Sequence, residues 1–315
     1  MMQISMKKIM MEKNSLHYAA ENNCKEISEL LISHGVNINE KDEDGKNSLH
    51  YAAENNCKEI SELLISHGAN INEKDNDGKY SLHYAAENNC KEIVEFLISH
   101  GVNINEKDED RKTALHYAAE NNCKEISELL ISHGVNINEK DEDRKTALHY
   151  AAENNCKEIS ELLISHGVNI NEKDNDGKYS LHYAAENNCK EIVEFLISHG
   201  VNINEKDEDR KTALHYAAEN NCKEIVELLI SHGVNINEKD EDRKNSLHYA
   251  AVNNCKEIIE FLISHDANIN EKDNDGKTAL HYAAENNCKE ISEIFISHAK
   301  DIYKNRKLRS SSCKN

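Results

Sequence analysis

The chain has 315 residues, 38% hydrophobic and 30% charged, with a formal net charge of −20 and neither proline nor tryptophan. No apolar run approaches the ~20 residues a spanning helix needs, and the missing proline and tryptophan are unlike a compact enzyme, which uses them at loop boundaries and in its core. The 10 cysteines are sparse for a disulfide scaffold and Met1–Lys13 holds no unbroken apolar leader core, so a soluble, reduced, intracellular protein is expected.

In chain order, residues 1–13 carry Ile4, Met6, Ile9 and Met10. They are expected either to add an apolar helix that covers the first repeat or to be the remnant of a unit cut short. From Asn14 the pair Leu-His recurs at 16, 49, 82, 115, 148, 181, 214, 247 and 280, always 33 residues apart. Nine units therefore run over 14–303, starting at 14, 47, 80, 113, 146, 179, 212, 245 and 278, without insertion or deletion. A longer register overlies them, since residues 70–126 and 169–225 are identical. A fixed period of this length marks stacked repeats, none of which can bury its own apolar face. The basic stretch 304–315 comes last and is expected to be a disordered tail.

One unit reads TALHYAAENNCKEISELLISHGVNINEKDEDRK, residues 113–145. Thr113, or Asn47 at the same place, suits a helix N-cap whose side-chain oxygen accepts from first-turn amides. Leu115, Ala118 and Ala119 then form a narrow apolar stripe at helical spacing, with alanines small enough for neighbouring helices to approach. Asn121-Asn122 breaks the helix, because asparagine tolerates the left-handed region. The break also separates His50 from Cys57, so these two do not share a helix face. Ile126, Leu129, Leu130 and Ile131 form the apolar side of a second helix, which Gly134 ends. The remainder alternates and then turns, as an extended arm with a hairpin would.

TALHYAA and NSLHYAA, with EISELLISHGVNIN after them, resemble the ankyrin repeat over roughly 290 residues. The resemblance implies an all-α repeat solenoid of helix-turn-helix units joined by β-hairpin loops. It also implies that His50 and its equivalents are structural, their rings bonded to backbone at the repeat junction. The departures are local. The motif's proline is Ser or Ala throughout, Tyr80 and Tyr179 replace the cap residue, and Asp266 replaces a helix-ending glycine. The hairpin glycine becomes Arg111, Arg144, Arg210 and Arg243. If that position keeps φ > 0, each arginine costs about 1 kcal/mol.

Tyr51, Tyr84, Tyr117, Tyr150, Tyr183 and Tyr216 lie opposite the Leu-Ala-Ala stripe, on the side that the resemblance implies faces a concave groove. With Glu120, Asn121, Glu153 and Asn154 they are expected to form a partner-binding face, the competing reading being rings that only shield the helices. The hairpin tips, Asp110, Arg111, Asp143, Arg144, Asp209 and Arg210, extend that surface. Residues 14–303 carry −27, because the ends contribute +2 in 1–13 and +5 in 304–315 to the total of −20. Such a field disfavours nucleic acid and anionic membranes and steers a basic partner.

No phosphate loop, nucleophile elbow or zinc-helix motif occurs, and an active site needs an asymmetry that nine near-identical units lack. The expectation is a monomeric, non-enzymatic protein–protein scaffold or adaptor in the cytoplasm. It takes no cofactor, metal or small-molecule substrate, and its basic tail is a weak nuclear signal. The alternative is a Cys/His ladder that buffers metal or senses redox state. One thiol per rung, with rungs about 8–10 Å apart, falls short of the four ligands of a zinc site. It also exceeds the ~7 Å Cα limit for a disulfide. Cys313 in the tail is the thiol expected to be free to oxidise. The second histidine of each unit, as in His133, is expected to cap helix two, facing solvent.

Overall fold

The computed structural model describes residues 13–312, without the side chains of 301, 302 and 304–312. The helix expected from Ile4, Met6, Ile9 and Met10, and the thiol of Cys313, lie outside the described residues. The chain divides into two units, Met1–Asn169 and Ile170–Asn315.

In the first unit the leading helices of successive repeats are α1 (Ser15–Glu21), α3 (Ser48–Glu54), α5 (Ser81–Glu87), α7 (Ala114–Glu120) and α9 (Ala147–Glu153). The trailing helices are α2 (Lys25–Ser33), α4 (Lys58–Ser66), α6 (Lys91–Ser99), α8 (Lys124–Ser132) and α10 (Lys157–Ser165). The second unit leads with α11 (Ser180–Glu186), α13 (Ala213–Glu219), α15 (Ser246–Val252) and α17 (Ala279–Glu285). It trails with α12 (Lys190–Ser198), α14 (Lys223–Ser231), α16 (Lys256–Ser264) and α18 (Lys289–Ser312). Within each unit every leading helix packs on the leading helix of the next repeat and on its own trailing helix.

The alanine stripe explains that packing. Leu115, Ala118 and Ala119 are at most 1% exposed, as are Ile126 and Leu130 from α8, and each buried leucine contributes about 1.5–3 kcal/mol. Ser127 joins them in the core, its hydroxyl donating to the Cys123 carbonyl at 3.0 Å. Leu129 and Ile131 are only half-buried.

The helix ends follow from backbone chemistry. Asn122 takes φ 56°, and the Cys123 amide donates back to the Ala118 carbonyl at 2.8 Å, a Schellman closure that satisfies an orphan carbonyl. Gly134 does the same for α8 at φ 80°. Asp266 occupies that place at φ 66°. In the last repeat Ala299 stands where Gly134 stands in its own repeat, and α18 runs on for 24 residues to Ser312. The expected disordered tail is thus helical over 304–312. No left-handed residue stops the helix there.

At the N-termini, Asn47 Oδ1 accepts from the amides of Leu49 and His50 at 3.0 and 3.2 Å. Thr113 closes a capping box with His116, and its hydroxyl lies 2.9 Å from His116 Nδ1. That nitrogen also accepts the Thr113 amide at 3.0 Å. Tyr80 supplies no cap bond and its phenol donates to Glu106 at 2.9 Å. The junction still closes because His83 Nδ1 accepts the Tyr80 amide at 3.0 Å.

The connecting arms turn rather than extend, and no strand occurs among the described residues. Asp141 N–H donates to the Lys145 carbonyl at 3.0 Å and Glu142 N–H to the Asp110 carbonyl of the preceding repeat at 2.8 Å. These bonds close a hairpin and join neighbouring tips but build no ladder. Arg111, Arg144, Arg210 and Arg243 take φ of 61–62°, the left-handed region argued for them from sequence. Arg144→Gly is therefore expected to raise stability by up to about 1 kcal/mol, read as a higher denaturant midpoint. A lower midpoint would reveal an arginine contact that outweighs the strain.

Candidate acidic binding recesses

The tyrosines do not line an open groove. Tyr51, Tyr84, Tyr117, Tyr150, Tyr183 and Tyr216 are between 3% and 7% exposed, which corrects their placement as a partner-facing row. The cause is a hydrogen bond that the sequence reading missed. Tyr117 Oη donates to Asp108 Oδ2 at 2.5 Å, and Asp108 Oδ1 accepts the Lys112 amide at 2.7 Å. The same bond ties Tyr51 to Asp42, Tyr84 to Asp75, Tyr150 to Asp141, Tyr183 to Asp174 and Tyr216 to Asp207. The signal was present as a fixed nine-residue step from the first Asp of EKDEDRK or EKDNDGK to the tyrosine. Burial, reinforced by the Asp108 bond, pushes the Tyr117 phenol above its usual range.

Lysine completes the device. Lys112 Nζ sits 3.0 Å from Glu120 Oε2 and 4.5 Å from the centroid of the Tyr150 ring in the next repeat. Lys79 relates in the same way to Glu87 at 3.0 Å and Tyr117 at 4.4 Å, a cation–π arrangement. Glu153 pairs with Lys145 at 2.9 Å. Asn121 and Asn154 are exposed, and their side-chain amides donate to the Tyr117 and Tyr150 carbonyls at 3.0 Å.

These parts enclose a recess between hairpin tips and leading helices. In the first unit it has about 500 Å³ and is lined by Asp77, Lys79, Glu87, Asp108, Glu109, Asp110, Lys112, Tyr117, Glu120 and Asn121. The expected site residues Tyr117, Glu120, Asn121 and Asp110 do meet there, with the ring as floor rather than rim. A smaller neighbour of about 230 Å³ gathers Asp110, Asp141, Glu142, Asp143 and Tyr150 with Lys112. The second unit repeats the larger recess at about 640 Å³, where Asp176, Glu186, Asp207, Glu208, Asp209 and Glu219 face Lys178 and Lys211 around Tyr216. Each larger recess thus sets six carboxylates against two lysines. Arg111, Arg144 and Arg210 are exposed beside the tips and line none of these recesses.

The two histidine series have separate structural roles. His116 Nδ1 accepts the cap amide, which places its proton on Nε2, and Nε2–H donates to the carbonyls of Glu139 at 3.1 Å and Lys145 at 3.3 Å. The leading-helix histidine therefore staples one repeat to the next loop, the backbone role that the resemblance implied. Burial holds His50, His83, His116, His182 and His215 down at about 4. His133, exposed, caps α8 by donating Nδ1–H to the Leu129 carbonyl at 2.9 Å.

The buried thiols are poorly placed as nucleophiles. Cys57 through Cys255 are buried and unbridged, and burial pushes Cys90, Cys156 and Cys222 up to about 11, opposite to what a redox sensor needs. Among the described residues no group of three or more His, Cys, Asp or Glu could hold a metal ion, and no helix is long and apolar enough to cross a membrane.

No curated protein matches the chain. A family model described as ankyrin repeats, three copies, matches residues 4–75, 59–141, 82–174, 129–207, 161–240, 181–273 and 237–307. With that coverage, and with a helix pair in every repeat and a turned loop between successive repeats of each unit, the chain belongs to the ankyrin-repeat family.

Proposed function

We propose that this chain is a non-enzymatic scaffold or adaptor whose recesses receive basic side chains of a partner protein. Repeats of this family generally serve as protein–protein interaction modules. The observation that carries the finer reading is the convergence of six carboxylates on two lysines in each larger recess. A lysine or arginine entering there meets an unbalanced negative charge and, at the floor, a tyrosine already held by aspartate. The hairpin tips Asp110, Asp143 and Asp209 rim the recesses and steer the approach. Cytoplasm, or nucleus, is the compartment proposed for such a partner.

The test is affinity capture from cell lysate at low and high salt with identification of what is retained. A basic protein that binds at low salt should be lost at high salt, since exposed charges are screened. It should bind about tenfold more weakly to the Asp110→Asn, Glu120→Gln, Asp143→Asn variant, a loss of the size that charge removal at an interface produces. Glu128→Gln, on the exposed face of α8 and away from the recess, is the control and should change nothing. Undiminished capture by the neutralised variant would place the binding surface elsewhere. Tyr117→Ala is not a clean test, because that ring is part of the core.

A further inference from the structure

Among the described residues, the first and last repeats expose complementary groups. In the first repeat Tyr18 is 55%, Ile27 52% and Leu30 54% exposed, whereas Tyr51 and Ile60, one repeat on, are 3% and 0% exposed. In the last repeat His281 and Ala284 are exposed, whereas His50 and Ala53 are fully buried. Each exposed group belongs to a contact that successive repeats make within a unit. We infer that the outer face of the last repeat docks on the outer face of the first repeat of a second copy of this chain, reproducing between molecules the helix-to-helix part of the repeat–repeat contact.

The argument rests on continuity with an interface already present. Within the units each leading-helix histidine lies against the tyrosine of the next repeat, with ring centroids 5.6 Å apart for His17 and Tyr51 and 5.7 Å for His182 and Tyr216. His281 and Tyr18 are the histidine and tyrosine left over. Lysine follows the same pattern, Lys13 lying 4.1 Å from the Tyr51 ring and Lys211 4.6 Å from Tyr249, so Lys277 would lie over Tyr18. The trailing helices join by ion pairs, Lys91 to Glu125 at 3.0 Å and Lys223 to Glu257 at 2.7 Å. That register sets Lys289 of one copy against Glu26 of the other. His281, Lys277 and Lys289 at one end thus meet Tyr18 and Glu26 at the other, and Ile27 supplies the apolar centre.

Such a contact joins two different surfaces, so it is heterologous and propagates chain upon chain instead of closing as a two-fold dimer. The net charge of −20 on each copy opposes association, so added salt strengthens it by screening. Binding of a basic partner responds to salt in the opposite sense, which separates failure of this inference from failure of the scaffold reading.

The experiment uses the full chain in sedimentation velocity and light scattering across a concentration series. Ile27→Asp closes the first face and Ala284→Arg the last, both at exposed positions where the fold is unaffected, as unchanged circular dichroism would verify. The unmodified chain should gain mass beyond a dimer as its concentration and salt rise. Each variant alone should remain monomeric. Mixed in equal amounts, they should form one dimer and stop, because each retains one open face. A chain that stays monomeric throughout overturns the inference. A dimer that both variants still form alone overturns it equally, since that dimer would use another surface.

Discussion

Lowering the pH from 7 to 4 is expected to unfold the array, with most of the loss between about pH 6.5 and 4. The leading-helix histidines set this window. His50, His83 and His116 in the first unit and His182 and His215 in the second are held at about 4, against 6.5 in an unfolded chain. Burial is the main cause, and the carbonyl bond at Nε2 only partly opposes it. At pH 7 the rings are neutral in both states and their contribution is complete. As pH falls through 6.5 the unfolded chain takes up protons that the folded chain refuses, so stability drops until the folded rings themselves titrate. Each ring contributes a slope of up to about 1.4 kcal/mol per pH unit, and five together up to about 7 kcal/mol per unit in the middle of the window. Protonating Nδ1 would also set a donor against the cap amide, so the ring cannot charge and remain in place.

Carboxylates add a later limb. Glu139 and Glu238 are held below their usual range by Lys107 and Lys206, so their contribution is lost only as pH falls below about 4.5. At high pH the sign reverses. The raised phenols of Tyr84 and Tyr117, and the thiols of Cys90 and Cys156, refuse to ionise in the folded chain. Stability is then lost above about pH 9 as the unfolded chain ionises. The measurement is the denaturant midpoint against pH. A midpoint unchanged between pH 7 and 5 would mean that these rings are hydrated enough to charge in place.

The period, the helix pairs and the Asn-Asn break were legible because each rests on local chemistry repeated nine times. Asn122 needs only its own backbone to enter the left-handed region, and the arginines at φ 61–62° follow from a glycine position shared with Gly45 and Gly78. The candidate site was less legible. A tyrosine opposite the alanine stripe reads as outward-facing on a single helical wheel. Only the preceding loop, with Asp108 and Lys112, folds back to enclose it. That is a tertiary contact between elements whose individual patterns carry no trace of it, although the constant Asp-to-Tyr spacing does. The end of the last helix was hidden for a related reason. Composition alone suggests disorder, whereas the loss of a single helix-stopping glycine at Ala299 lets α18 continue.

The second large effect expected is a position dependence of core truncation. Leu16 and Leu115 are at most 1% exposed, and truncating either to alanine removes the same atoms, a loss of about 2–5 kcal/mol for a buried leucine. Their consequences differ because α1 packs on one neighbouring leading helix and α7 on two within the unit. In a stack with nearest-neighbour coupling, a weakened end repeat detaches alone and sacrifices one interface. Leu16→Ala should therefore fray the first repeat, with amide exchange accelerating in α1 and α2 while the main unfolding transition moves little. Leu115→Ala weakens an interior repeat whose opening costs two interfaces. Its defect should lower the midpoint of the main transition itself and speed exchange on both sides, in α5 and α9 as well as α7. Hydrogen exchange on the two variants, read helix by helix beside denaturant melts, separates these patterns. If the two substitutions lowered the main midpoint equally and left exchange in α1 no faster than in α7, coupling between repeats would reach beyond nearest neighbours.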